Sequence, residues 1–240
     1  MAKKGGNKLS VLFKKLIRLV WLLIILGFQV TMFFIILYRV MPVPVTPLHL
    51  VRVYEQVRDG KPMKLSKDWT SIDYVSYKFC LAVITSEDVK FIEHYGFDFE
   101  QIKKSIERKL KRGKKLRGAS TISQQTAKNL FFTPKRSWIR KVPEVFITLS
   151  IELLWTKKRI LEVYINIIEM GNGIYGVEAA AREYFNKPAS KLSSRESALI
   201  AACLPNPRRW NAGKPSSYIN RKAQVIQRFM HNIGNLPWQD

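Results

Sequence analysis

The stretch Ile160-Leu161-Glu162-Val163-Tyr164-Ile165-Asn166-Ile167-Ile168 decides how the rest of the chain is read. Ile160, Leu161, Tyr164, Ile165 and Ile168 recur at the three-and-four spacing of one helix face, not at the alternation of a strand. The same spacing returns in Phe99, Ile102, Ile106 and Leu110, and again in Val225, Ile226, Phe229, Met230 and Ile233. Ser193 and Glu196 have the capping-box spacing that opens a helix through residues 198–204, and Pro205 with Pro207 closes it. No segment shows a convincing strand alternation, and no repeat or low-complexity tract interrupts the pattern. The expectation is one mostly α domain over residues 48–240.

Upstream of that domain, residues 19–37 form a 19-residue run without a charge, broken only by Gly27, Gln29 and Thr31. At about 1.5 Å per residue such a helix spans a hydrocarbon core of roughly 30 Å. A cleaved signal peptide has a shorter apolar stretch and a small-residue cleavage site, whereas Tyr38, Arg39, Val40 and Met41 follow here. Residues 19–38 therefore read as an uncleaved, single-pass signal anchor. Lys3, Lys4, Lys8, Lys14, Lys15 and Arg18 precede it with no acid among them, which puts residues 1–18 in the cytoplasm and the domain outside. Residues 39–47 carry Pro42, Pro44 and Pro47 and read as a semi-rigid spacer.

The chain of 240 residues has 41 Lys and Arg against 18 Asp and Glu, a formal charge of +23, with 47% apolar residues. Without the six cytoplasmic bases the exterior part still holds 35 bases against 18 acids. That excess calls for a polyanionic partner, and the exterior location excludes nucleic acid in favour of membrane lipid or a phosphate-bearing substrate. Cys80 and Cys203 lie in apolar contexts and read as small buried residues rather than a disulfide. No paired cysteines or clustered histidines suggest a structural metal.

Three polar elements interrupt the helical pattern. Glu87 and Asp88 follow the apolar stretch 79–84, where burial can raise a carboxyl into the range of a general base. Residues 117–129 are dense in Arg, Lys, hydroxyls and amides and hold no acid, which suits sugar and phosphate oxygens. Arg140, Lys141 and Glu144 share a helix face, an acid beside two cations.

In this order the elements resemble the signature of the peptidoglycan glycosyltransferases, and the chain resembles their monofunctional, biosynthetic members. The first motif, E-D-x-x-F-x-x-H-x-G, is met by Glu87, Asp88, Phe91, His94 and Gly96. The second runs from Arg117 to Asn129 with Ser123 in place of Thr, and the third is Arg140, Lys141 and Glu144. The fourth is Ile160-Leu161-Glu162-Val163-Tyr164-Ile165-Asn166 with Gly171, Gly176, Ala180, Ala181, Tyr184 and Phe185. The fifth, Glu196 and Ala198, departs by one position in its aliphatic residue and reads as structural support.

The resemblance implies a lysozyme-like fold and polymerisation of lipid II, a disaccharide-pentapeptide on undecaprenyl pyrophosphate, with inversion and loss of the lipid pyrophosphate. It makes Glu87 the base, and Glu144 with Arg140 and Lys141 the group that holds the pyrophosphate or a divalent cation, Mg or Mn, bound to it. Arg117, Ser120, Thr121, Gln124, Gln125, Lys128 and Asn129 are the remaining expected substrate-binding residues, and His94 is assigned to structure or substrate packing rather than to proton transfer. No organic cofactor is expected. The implied location is the bacterial inner membrane, with lipid II, the nascent glycan and membrane lipids as partners. No S-x-x-K or K-T-G motif of a transpeptidase occurs, so cross-linking is expected to fall to partner proteins of wall synthesis. Lys103, Lys104, Arg108, Lys109, Lys111, Arg112, Lys114, Lys115 and Arg117, opposed only by Glu107, read with the apolar face of residues 99–110 as an amphipathic flap on lipid headgroups. A membrane-anchored lytic enzyme of the same fold is the other reading, since two carboxylates also serve glycan hydrolysis.

Overall fold

The computed structural model describes residues 5–112, 120–135, 137 and 140–238. It is mostly α and divides into two units, Met1–Met41 and Pro42–Asp240.

The first unit is helix α1, Gly5–Tyr38. Its segment Ser10–Tyr38, whose most apolar 18-residue window has a mean hydropathy of 2.6, is long and apolar enough to cross a bilayer. Thr31 donates its hydroxyl to the Gly27 carbonyl at 2.8 Å, so this polar group is satisfied inside its own helix. The helix starts well before residue 19. Lys14, Lys15 and Arg18 continue it as good helix formers, and nothing between residues 5 and 19 breaks it.

In the second unit Pro47 is not part of the spacer but the first residue of α2, Pro47–Arg58, where its missing N–H costs nothing. Then follow β1 (Ser66–Lys67), α3 (Tyr77–Glu87), α4 (Phe99–Arg112), α5 (Ile122–Phe131), α6 (Lys141–Leu154) and α7 (Lys157–Ile167). The chain continues through β2 (Glu169–Gly171), β3 (Ile174–Tyr175), α8 (Val177–Phe185), α9 (Ser194–Cys203) and α10 (Ser217–Phe229). The strands make one small sheet in the order β1-β3-β2, with β1 parallel and β2 antiparallel to β3. Two or three residues per strand are too few for alternation to show in sequence, which is why only helices were expected.

Helix α7 is the centre. Ile160, Leu161, Val163, Tyr164, Ile165 and Ile167 are all buried, each contributing roughly 1.5–3 kcal/mol of burial. Helix α5 packs between α6 and α7, while α3, α9 and α10 form a second group. Buried Asn166 is tied in three ways: its amide donates to the carbonyls of Thr70 and Glu162, and its oxygen accepts from the Thr70 N–H. Gly176 follows in the left-handed region, φ 81°, where a Cβ would stand 2.8 Å from the Asn166 carbonyl oxygen. Ser193 and Glu196 form the expected capping box of α9. Both cysteines are free and buried, and burial pushes the Cys80 thiol up to about 12.

The outer helices bury less than their patterns suggest. Ile226 on α10 and Met230 just past its end are buried, but Val225 and Phe229 are half exposed, because Ile219 and Ala223 set the inward face instead. On α4 Phe99 and Leu110 are more than three-quarters exposed while Ser105 is buried, so its apolar stripe faces away from the core. The basic residues Lys114, Lys115 and Arg117 lie outside the described residues, as do the side chains of Arg108, Lys109 and Arg112.

Candidate active site

Glu87 is the last residue of α3, delivered to the surface by the buried run Phe79, Cys80, Ala82, Val83 and Ile84. Its carboxylate accepts a 3.0 Å hydrogen bond from the Gln125 amide, and the Gln125 carbonyl accepts one of 3.3 Å from the Tyr164 hydroxyl. Burial raises the Glu87 carboxyl above its ordinary value; Gln125, the cations Lys222 and Lys128, and Ser86 pull it back in part. The group is therefore a stronger base than a solvated glutamate.

Asp88 has a different task. Only 2% exposed, it accepts from the Ile122 N–H at the start of α5 at 2.9 Å and faces His94 Nε2 at 2.9 and 3.0 Å. A carboxylate at a helix N-terminus is favoured by the helix dipole, so Asp88 and His94 lock the first motif onto the second. His94 is held by this pairing through one ring nitrogen. Gly96, at φ 82°, presents its carbonyl to the Thr121 hydroxyl at 2.6 Å.

Thr121 and Gln124 are engaged with each other inside the fold. Thr121 is the N-cap of α5: its oxygen accepts from the Gln124 N–H, and Gln124 Oε1 accepts from the Thr121 N–H at 3.0 Å. Both are buried, and neither is among the described residues that line the two cavities below. A threonine followed three residues later by glutamine is a capping box before it is anything else. Ser120, Gln125, Lys128 and Asn129 do line it. Arg117 lies outside the described residues.

Among the described residues, two cavities of the cleft share Gln125. One, of about 290 Å³, is lined by Ser86, Glu87, Ser120, Gln125 and Pro205. The other, of about 180 Å³, is lined by Arg52, Gln125, Lys128, Asn129, Tyr164 and Glu169. Burial lowers the Lys128 ammonium, with Glu144 and Glu87 acting against that and Arg140 and Lys141 adding to it. Lys128 thus lies within the field of both glutamates.

Arg140, Lys141 and Glu144 meet as the spacing requires. Glu144, in the first turn of α6, is buried with Lys141 Nζ at 2.5 Å and Arg140 Nε at 3.6 Å. One Arg140 nitrogen also donates to the carbonyls of Thr133 and Lys135, at 2.7 and 2.6 Å, which fixes the guanidinium beside Phe132. Lys128, Arg140 and Lys141 give three cations to one acid, a setting for an anion. It does not fit a cation held by protein ligands. Glu144 is a single carboxylate already facing two cations, and no group of three or more His, Cys, Asp or Glu occurs together among the described residues.

Two parts of the site lie outside the motifs. Lys222 of α10 donates to the Ala202 carbonyl at 3.0 Å, lies over the Trp210 ring and is felt by Glu87. Its signal in sequence was a lysine between Ile219 and Ala223 on the buried face of α10. Arg52 of α2 pairs with Glu169 of β2 at 3.0 Å. Here the signal was an acid inside the otherwise apolar run 167–170.

A helical domain whose cleft sets a carboxyl raised by burial near a cluster of cations has the setting of a group-transfer enzyme. The transglycosylase family model matches residues 55–231, and the chain belongs to that family of glycosyl-transferring enzymes. It is 50% identical over 224 residues to a biosynthetic peptidoglycan transglycosylase of Bacteroides thetaiotaomicron, covering 93% of this chain and 90% of that one. Proteins of the same description from Yersinia pseudotuberculosis and Chromohalobacter salexigens are 49% and 47% identical, each over more than four-fifths of both chains.

Proposed function

We propose that the protein polymerises lipid II into glycan strands as an inverting peptidoglycan glycosyltransferase. The observation that supports this reading is Gln125, which holds the Glu87 carboxylate at 3.0 Å and lines the same cavity as Lys128. Glu87, oriented by Gln125, takes the proton from the sugar 4-hydroxyl as that oxygen attacks the anomeric carbon. The bond to the pyrophosphate breaks on the opposite face, and Lys128, Arg140 and Lys141 receive the departing negative charge. Ser120 and Asn129 contribute hydrogen bonds along the cleft, and Arg117 belongs to the same motif. Mg or Mn has a place here only as a companion of the substrate's own phosphates beside Glu144.

The anchor α1 holds the domain at the outer face of the inner membrane, with the basic N-terminus in the cytoplasm. Exposed Phe99, Ile106 and Leu110 on α4, beside Lys103, Lys104 and Lys111, rest on lipid headgroups. Cross-linking is left to partner transpeptidases. The test is the purified chain with lipid II and a divalent cation: wild type gives polymer and Glu87→Gln gives none. Shortening of preformed glycan without polymer would establish the lytic reading instead.

A further inference from the structure

The second cavity of the cleft ends in charges that cancel. Arg52 binds Glu169 at 3.0 Å and Glu55 at 2.8 Å, and Arg208 reaches Glu55 at 3.2 Å. Two arginines and two glutamates leave no net charge there, in contrast to the cations around Lys128 at the other end. An anion has no reason to settle beside Glu169, whereas an uncharged, hydrogen-bonding group does. Leu48, Ile168, Leu204 and Pro207 complete this end with apolar walls, which suit the face of a sugar ring.

Glu169 itself is 7% exposed and lines this cavity. Its Oε2 is held by Arg52, but its Oε1 is buried and accepts no hydrogen bond from any described residue. A buried carboxylate oxygen left unpaired is costly, and such atoms in folded proteins are nearly always satisfied by something. We propose that Glu169 is a sugar-binding residue, its Oε1 accepting a hydrogen bond from a hydroxyl or an acetamide N–H of the glycan in the Lys128 half of the cleft. The assignment rests on the glycan-polymerising reading above. The rival is internal: Tyr175, the cross-strand neighbour of Glu169, has a buried hydroxyl that also lacks a partner among the described residues. A water joining the two would satisfy both without any ligand.

Glu169→Gln separates these cases. Arg52 keeps hold of the amide oxygen, so the amide nitrogen is presented where Oε1 was, and an acceptor becomes a donor. Full-length protein in detergent is titrated with chitotetraose and with cellotetraose, followed by saturation-transfer NMR. Wild type is expected to bind chitotetraose, and Glu169→Gln and Glu169→Ala to bind it roughly tenfold or more weakly. Equal binding of cellotetraose assigns the donor as a hydroxyl; binding of chitotetraose alone assigns it as the acetamide N–H. In polymerisation assays the same variants raise KM more than they lower kcat. No binding by wild type, or variants within twofold of wild type in affinity and KM, overturns the assignment. So does loss of binding that is matched by Tyr175→Phe with an equal fall in melting temperature, the mark of a structural role. If wild type binds chitotetraose through Glu169 yet makes no polymer, the polymerase reading fails and the sugar site stands.

Discussion

Gln125 holds Glu87 at 3.0 Å through its amide nitrogen and is itself held by Tyr164 through its amide oxygen. The proposed base is thus aimed by a fully buried residue of the central helix α7. Gln125→Ala frees the carboxylate to turn without removing it. The expected result is a fall in kcat of about a hundredfold, the scale of an angstrom-sized misplacement of a reacting group. Tyr164→Phe should fall by less. Both are read from initial rates of glycan synthesis alongside a melting curve that shows the fold intact.

Glu87→Gln tests function against stability. Burial raises the Glu87 carboxyl in the folded chain, so the folded state holds a proton that the unfolded chain has already released. Above the folded value the ionised, desolvated carboxylate lowers stability. Replacing it by a neutral amide should abolish polymerisation while the melting temperature at pH 8 stays equal to or above that of wild type. A fall of several degrees would show that Glu87 supports the fold.

Asp88 and His94 predict the opposite balance. The Asp88 carboxylate, itself buried, joins the start of α5 to the loop that carries the partly buried His94. Asp88→Ala leaves the Ile122 N–H and the imidazole unpaired and should cost about 2 kcal/mol or more. Chemical denaturation measures it. The expected signature is lost stability and lost activity together.

How much of this was legible beforehand follows from length and periodicity. Helix α7 was readable because five apolar residues at helical spacing are buried together, and α9 because Ser193 and Glu196 announce its start. Strands of two or three residues were not, since no period fits in them. Glu87, Lys128 and Glu144 stand in motifs, but the division of labour within a motif is invisible until the cap is seen: Thr121 and Gln124 bond each other, while their neighbours Ser120 and Gln125 face the cleft. Arg52 and Glu169, 117 residues apart, meet only through tertiary structure.

His49 should set the acid stability of the domain. It is buried against the Tyr175 ring, with centroids 4.3 Å apart, and its Nδ1 accepts from the Thr46 N–H. Burial, then Lys67, push it down to about 4, with a contact to the Ile167 backbone acting the other way. A histidine held neutral in the folded state gives stability that is present above pH 6.5 and lost as pH falls toward 4. The full effect is about 3 kcal/mol. Denaturation midpoints between pH 7 and 4 should drop in wild type and drop markedly less in His49→Phe.

Lys222 tests whether Glu87 titrates as the base. The lysine belongs to no motif, yet it donates to the Ala202 carbonyl, next to the Ala201 carbonyl that accepts from Ser86 beside Glu87. A cation there favours the ionised carboxylate, and Lys128 does the same from α5. Removing the charge in Lys222→Met lets burial raise the Glu87 carboxyl further. The acid limb of the kcat/KM profile should then move to higher pH, while the rate on the alkaline plateau changes little. Lys222→Arg keeps the charge and should keep the limb in place. A limb that stays fixed in Lys222→Met would mean that another group sets it, and that Glu87 is ionised throughout the working range.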